Sequence, residues 1–395
     1  MYFTRDIEHQ LNEALKQFPA CLITGSRQSG KSTLLQHSLP NYRYVTLDNP
    51  IMRALAVEDP ELFLSSYPSP LIIDEIQYAP NLLFYLKMRI DQNRQLRGQF
   101  VFTGSQTFQV MKGVSESLAG RIAIFQLYPF CWNEIVAMPG KPPNPLNDFE
   151  MGRQVVGGFY PEFFSQPNID HNLWYSSFLN TYIERDVRNI KSITDLGRFQ
   201  TFIRLLATRA GQLLNMAELA KECGISQPTV KDWLSILSST YIIHILQPYH
   251  KNHTKRLVKS PKIFFVDTGL LCFLLGVDSA ERFFKVSEKG HIFENMVVME
   301  YIKRLSLQSG LSSCYFYRTA SGVEVDLLVE AKGKLFAYEI KLAKTLSREM
   351  AQPLVLFCKD HQVAGATLLS LHEQTIPLAA NIKARHWSLF STEEI

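Results

Sequence analysis

The sequence has no apolar run long enough to span a bilayer, which excludes a helical membrane protein. Its opening stretch, MYFTRDIEHQLNEALKQF, carries acids and lacks an apolar core ending in small residues, so it does not read as a secretory signal. Cysteines are few and scattered: Cys21, Cys131, Cys223, Cys272, Cys314 and Cys358, with no CxxC pair. That argues against a disulfide framework and a zinc site, and for a reducing cytoplasm. Charge of one sign is also scarce. A net charge of +4 is too mild to demonstrate a nucleic-acid partner by itself. Internal repeats and low-complexity tracts are missing. Apolar residues are abundant, at 46% of 395, which supplies more than one core and suggests two to four domains.

The first third alternates strands and helices. Ala20–Thr24, Tyr42–Leu47, Pro70–Asp74, Gln99–Thr103 and Ile122–Leu127 read as strands separated by amphipathic segments. Pro70–Asp74 is almost continuously apolar, as a buried parallel strand should be. The expected fold class is therefore α/β, a parallel sheet with helices on both faces. The Pro-rich stretch from Met138 to Pro145 breaks this pattern and marks a boundary. Helices are then expected at Trp174–Ile190, Gly197–Ala210, Met216–Glu222 and Gln227–Leu237, followed by short strands at Tyr241–Leu246 and Lys262–Val266. A new α/β unit begins near Gly290. It has a helix at His291–Ser306 and strands at Cys314–Arg318, Val323–Glu330, Leu335–Ile340, Leu354–Phe357 and Gly365–Leu369.

Gly25-Ser26-Arg27-Gln28-Ser29-Gly30-Lys31-Ser32 fits GxxxxGK[ST] at every required position, after an apolar strand and before the helical Thr33-Leu34-Leu35. The glycines let successive N–H groups turn inward toward phosphate oxygens, and the following helix N-terminus adds partial positive charge. Lys31 is expected to reach the β- and γ-phosphates of ATP and the Ser32 hydroxyl to ligate Mg²⁺. Leu71-Ile72-Ile73-Asp74-Glu75 is an apolar strand ending in two acids. Asp74 is expected to hold the Mg²⁺ shell and Glu75 to polarise the attacking water, in a sheet with one strand inserted between the two motif strands. Ser105 or Gln106, at the end of another strand, is a candidate contact to water or phosphate. Arg121 and Arg185 are candidate finger arginines, in cis or in trans; a trans role requires a homo-oligomer, and an ordinary salt bridge is the alternative for each.

Leu219 to Leu234 reads as helix-turn-helix, with Gly224 making the turn, Ile225 tucked inward and Ser226 capping the second helix. No acid occurs between Asp232 and Asp267, whereas Lys251, Lys255, Arg256, Lys259 and Lys262 do, a pattern suited to phosphate contacts by a wing. On the second helix Lys231 is the cationic candidate, offset by Asp232. DNA contact and protein packing both stand as readings of this stretch.

In the last third, Glu324 and Asp326 share one strand face, and Glu339 and Lys341 share one face of the next. Asp326, Glu339 and Lys341 on neighbouring strands, with Glu294 on the preceding helix as a fourth member, suit a divalent metal and a phosphoryl transition state.

Together GSRQSGKST, LIIDEIQ, FTGSQ, SLAGR, GGFYPEFF, TYIERDVR, RLLATRAGQLLN, KRLVKSPKIFFVDTGL, FENMVVMEYI and GVEVDLLV…AYEIK resemble a prokaryotic family of AAA-type P-loop ATPases with a winged helix and a C-terminal restriction-endonuclease-like domain, across almost the whole chain. The resemblance implies an ATPase core at 1–140, a helical lid at 141–197, a winged helix at 198–288 and an endonuclease-like domain at 289–395. Two functions follow. One is an ATPase coupled to DNA binding or remodelling, with or without metal-dependent cleavage. The other is a slowly hydrolysing nucleotide switch that holds a protein partner.

Overall fold

The computed structural model describes residues 2–104, 114, 117–140, 147–166, 168–183, 195–249, 259–308 and 312–392. They form two compact units, one of residues 1–130, 160–167 and 239–241, the other of residues 131–159, 168–238 and 242–395.

In the first unit, helix α1 (Ile7–Gln17) buries Ile7, Leu11, Ala14 and Leu15, an i, i+4, i+7, i+8 stripe. Strand β1 (Ala20–Thr24) is buried throughout and runs by way of the phosphate loop into α2 (Lys31–Ser38). There follow β2 (Arg43–Thr46), α3 (Pro50–Glu58), α4 (Pro60–Ser66), β3 (Leu71–Asp74), α5 (Leu82–Gln92), β4 (Phe100–Gly104) and β5 (Ile122–Gln126). Both α3 and α4 begin with proline after a side-chain cap, Asn49 and Asp59 respectively, which fixes where each helix starts. The five strands form one parallel sheet in the order β2-β3-β4-β1-β5. The strand between the two motif strands is thus β4, which comes later in the chain, while β2 lies at the edge. Leu22, Ile73 and Phe102, in the three central strands, are fully buried in the core.

The second unit begins with α6 (Trp132–Val136), α7 (Asp148–Gly157), α8 (His171–Tyr182) and α9 (Leu196–Ala207). Helices α10 (Met216–Cys223) and α11 (Gln227–Ser239) meet at Gly224, which is left-handed at φ 63°, and the Ser226 hydroxyl accepts from the Thr229 N–H at 3.2 Å. Strands β6 (Ile243–Pro248) and β7 (Lys262–Phe265) follow as an antiparallel pair. Then come α12 (Thr268–Leu275), α13 (Ala280–Lys285), α14 (Lys289–Leu305), β8 (Ser312–Arg318), β9 (Glu324–Ala331), β10 (Lys334–Ile340), α15 (Gln352–Asp360), β11 (Gly365–Ser370), β12 (Ile376–Ala379) and β13 (Ile382–His386).

One eight-stranded sheet, β12-β13-β11-β10-β9-β8-β6-β7, joins stretches that the sequence pattern separates. The link is a short parallel register of β6 on β8, Gln247 with Tyr315 and Pro248 with Phe316. Asn295 on α14 fastens β7, accepting from the Phe265 N–H at 2.7 Å and donating to its carbonyl at 2.8 Å. One expected strand is a helix. Leu354–Phe357 lies inside α15, where Leu354 and Phe357, three positions apart, share the buried face. A short apolar run carries no period that separates strand from helix. Among the described residues no helix is long and apolar enough to cross a membrane.

Candidate functional site

The turn out of β1 leaves no room for a side chain at Gly25: a Cβ there would lie 2.0 Å from the Leu127 carbonyl oxygen. Gln28 and Gly30 are left-handed, at φ 61° and 90°, and Gly30 opens α2. Lys31 is buried, and its ammonium donates to the carbonyls of Gly25 at 2.9 Å and Ser26 at 2.8 Å. The Ser29 hydroxyl donates to the Ser26 carbonyl at 2.9 Å, while the Ser26 hydroxyl is buried with no partner among the described residues. Arg27 is half-buried, and Gln28 and Thr33 are exposed. Arg5 braces the loop. Its guanidinium donates to the carbonyls of Ser29 at 2.9 Å and Tyr128 at 2.8 Å and lies over the Phe130 ring. Beside the loop lies a cavity of about 260 Å³, lined by Tyr2, Phe3, Gln28, Thr33, Phe130 and Pro161 among others.

Asp74 is the hub of the polar contacts. One carboxylate oxygen accepts from the Ser32 hydroxyl at 2.8 Å and the Thr103 hydroxyl at 2.6 Å, and the other accepts from the Tyr44 phenol at 2.7 Å. Burial and the Asp74 carboxylate push the Tyr44 phenol above its usual range. Thr103 also accepts from the Glu75 N–H at 2.9 Å, and the Glu75 carboxylate accepts from the Gln77 amide. Glu75 is left-handed at φ 59°, an uncommon conformation for a non-glycine residue and one that turns the chain sharply after β3. The sequence motifs bring Lys31, Ser32, Asp74 and Glu75 to one edge of the sheet. Tyr44, Thr103 and Arg5 were missed. Thr103 ends the strand that leads to the Ser105 and Gln106 candidates, but Tyr44 and Arg5 carry no local signal.

Arg121 cannot serve as a finger in cis. Its carbonyl accepts from the Ala20 N–H, so it lies at the start of β1, at the opposite edge of the parallel sheet from the phosphate loop. Its guanidinium is forked on Asp91 at 2.8 and 3.1 Å. Ser105, Gln106, Arg185, Lys251, Lys255 and Arg256 lie outside the described residues.

In the second unit Glu294, Asp326, Glu339 and Lys341 come together as one cluster. Lys341 lies 2.6 Å from Glu339 and 3.6 Å from Asp326, whose carboxylate also accepts from the Ile340 N–H at 2.8 Å. Lys262, which the sequence pattern assigned to a basic wing, is corrected to this cluster. It is 2% exposed and lies 2.9 Å from Glu294 and 2.5 Å from Glu324, so it is withdrawn from any phosphate-facing surface. Burial and Glu294 push Asp326 up to about 6, against the opposing pull of Lys341 and Lys262. Burial and Asp326 push Glu339 up to about 8. One Glu339 carboxylate oxygen is buried without a partner among the described residues. Lys231 and Lys259 are exposed.

Residues 17–136 match the family model of an AAA domain, and residues 149–281 and 289–390 match two domains of unknown function, DUF8612 and DUF4143. The chain is 31% identical over 386 residues to the uncharacterized proteins Rv2008c of Mycobacterium tuberculosis and Mb2031c of Mycobacterium bovis, spanning 96% of this chain and 82% of each relative. Among solved structures, the Walker-type ATPase PABY2304 of Pyrococcus abyssi is similar at 16% identity and a TM-score of 0.46, over 69% of this chain and 96% of that one. AMPPCP-bound DnaA from Aquifex aeolicus is similar at 14% identity and a TM-score of 0.28, over 59% of this chain and 85% of that one.

Proposed function

The chain belongs to the same family as the two mycobacterial proteins and carries an AAA-type P-loop ATPase domain, and on that premise we propose that it binds ATP with Mg²⁺ and hydrolyses it. The observation that carries this reading is the convergence of Lys31, Ser32 and Asp74 at the mouth of a glycine turn too tight for any other residue at position 25. Ser32 and Asp74 offer hard oxygens 2.8 Å apart, a donor set suited to Mg²⁺, and the partnerless Ser26 hydroxyl is a spare donor for a phosphate oxygen. Bound Mg²⁺ supplies charge neutralisation on the β- and γ-phosphates.

The chain's own residues do the rest. The loop N–H groups of Gly25 to Ser32 cradle the phosphates, and Lys31 exchanges its carbonyl partners for phosphate oxygens. Glu75, restrained by Gln77, orients the attacking water. The aromatic rings of Tyr2, Phe3 and Phe130 give the neighbouring cavity faces on which a base can stack.

The domain reading at 141–197, 198–288 and 289–395 as lid, winged helix and endonuclease-like domain belongs to the same proposal. It is supported by the α10–turn–α11 pair followed by the antiparallel β6–β7 pair, and by the acids of β9 and β10 gathered with Lys341, just past β10. DNA is the partner favoured by exposed Lys231 and Lys259. A second activity, metal-dependent phosphodiester cleavage, is favoured by the partnerless Glu339 oxygen beside Lys341. The withdrawal of Lys262 from the wing favours the competing reading, a slow switch with a protein partner.

Turnover of ATP with and without duplex DNA separates these readings. DNA-stimulated hydrolysis lost in Lys31→Ala and Glu75→Gln supports a DNA-coupled ATPase. Turnover indifferent to DNA and far below about one per second supports the switch.

A further inference from the structure

Tyr241 stands where helices usually place glycine. Helix α11 closes with the Ile242 N–H donating back to the Leu237 carbonyl at 2.9 Å, the six-residue closure that puts Tyr241 in the left-handed position. Its φ is 60°, a conformation that costs free energy in any residue with a Cβ. The side chain is buried, and its phenol lies 2.7 Å from the Thr24 hydroxyl. Thr24 has one hydroxyl proton, and that hydroxyl donates to the Phe125 carbonyl at 3.1 Å, so the phenol is the donor to Thr24. The ring packs edge-on against Tyr128, whose carbonyl holds Arg5.

Thr24 is the last residue before the phosphate loop. Its carbonyl accepts from the Leu127 N–H at 2.7 Å, and Gly25 presses against the Leu127 carbonyl. A shift of Thr24 therefore moves Gly25, whose own carbonyl is a partner of the Lys31 ammonium.

A strained residue persists where its surroundings need it, and here the need is the phenol. We propose that Tyr241 is a positioning residue of the phosphate loop. Its hydroxyl fixes the turn out of β1. The proposal rests on the nucleotide reading of that loop.

The test uses the full chain, a fluorescent ATP analogue with Mg²⁺, and hydrogen exchange of the amides of residues 239–241. Tyr241→Phe removes one neutral hydrogen bond and leaves Thr24 its bond to Phe125. It should raise the Kd about fivefold and lower ligand-free stability by no more than about 1 kcal/mol, with the protein still folded. Thr24→Val should weaken binding as well, and the double variant should be no weaker than Thr24→Val alone. Nucleotide should slow exchange at 239–241 in wild type and leave it unchanged in Tyr241→Phe. Tyr241→Gly, whose residue suits the left-handed position, should stay folded and lose the same protection. Nucleotide binding by Tyr241→Phe within about twofold of wild type, or full additivity in the double variant, overturns the proposal alone. A wild type that binds no nucleotide overturns it together with the nucleotide reading.

Discussion

Lys262→Met removes a single buried charge from the acid–lysine cluster while keeping most of the side-chain length. In wild type the ammonium lies 2.9 Å from Glu294 and 2.5 Å from Glu324 and is 2% exposed. The loss falls unequally on its two partners. Glu324 keeps Arg318 at 2.5 Å and is 23% exposed, so its share resembles that of a surface pair, about 1 kcal/mol or less. Glu294 is buried and, among the described residues, keeps only His291, at 3.7 Å. Breaking a buried pair from one side costs about 3–5 kcal/mol, and that is the expected deficit at neutral pH.

The pH dependence gives the sign. Burial pushes the Glu294 carboxyl up, but Lys262 and His291 outweigh it and hold it below the usual carboxylate range. A lowered carboxyl contributes stability above its unfolded value and loses that contribution on acidification through its folded value. Without Lys262, burial dominates and the carboxyl rises, so the variant is weakest where Glu294 is ionised. Its deficit should shrink from about pH 7.5 to about pH 4.5. Urea unfolding followed by tryptophan fluorescence reads the correct unit, because Trp132, Trp174, Trp233 and Trp387 all lie in the second. A deficit below about 1 kcal/mol at neutral pH, or one that grows on acidification, refutes the reasoning.

Glu339→Gln probes the other half of the cluster. Carboxyls raised in the folded state, about 8 for Glu339 and about 6 for Asp326, contribute stability below their unfolded values and lose it as pH rises through the folded ones. Melting curves should therefore show the glutamine variant gaining on wild type at about pH 8 and not at about pH 4; an equal gain at both rejects the assignment. In the first unit, Tyr44→Phe takes one of three hydroxyl donors from buried Asp74 and should lower stability by about 1–2 kcal/mol, read by calorimetry in the absence of nucleotide. No change there would mean that the phenol is not holding the carboxylate.

The parallel sheet was legible because its buried strands are apolar runs, and the phosphate loop because its chemistry lies within eight consecutive residues. Asp74 was found, but two of its three hydroxyl partners were not. Thr103 and Tyr44 reach it from neighbouring strands, and that adjacency is set by strand order rather than by spacing along the chain. Lys262 was misplaced for a related reason. All four residues of β7 are buried, so no alternation marks which way its lysine faces, and the surrounding basic stretch suggested solvent. The left-handed Tyr241 has no sequence signal, because its conformation follows from how α11 ends. Arg121 follows a plausible motif, yet strand direction sends it to the wrong edge for a cis role.

Binding of nucleotide to the Gly25–Ser32 loop through Lys31 is checked by equilibrium titration of wild type and Lys31→Ala with an ATP analogue and Mg²⁺. Wild type should bind saturably, and Lys31→Ala, still folded, should bind at least about a hundredfold more weakly for want of charge-assisted contacts to phosphate. Equal binding by the two proteins, or none by wild type, would contradict it.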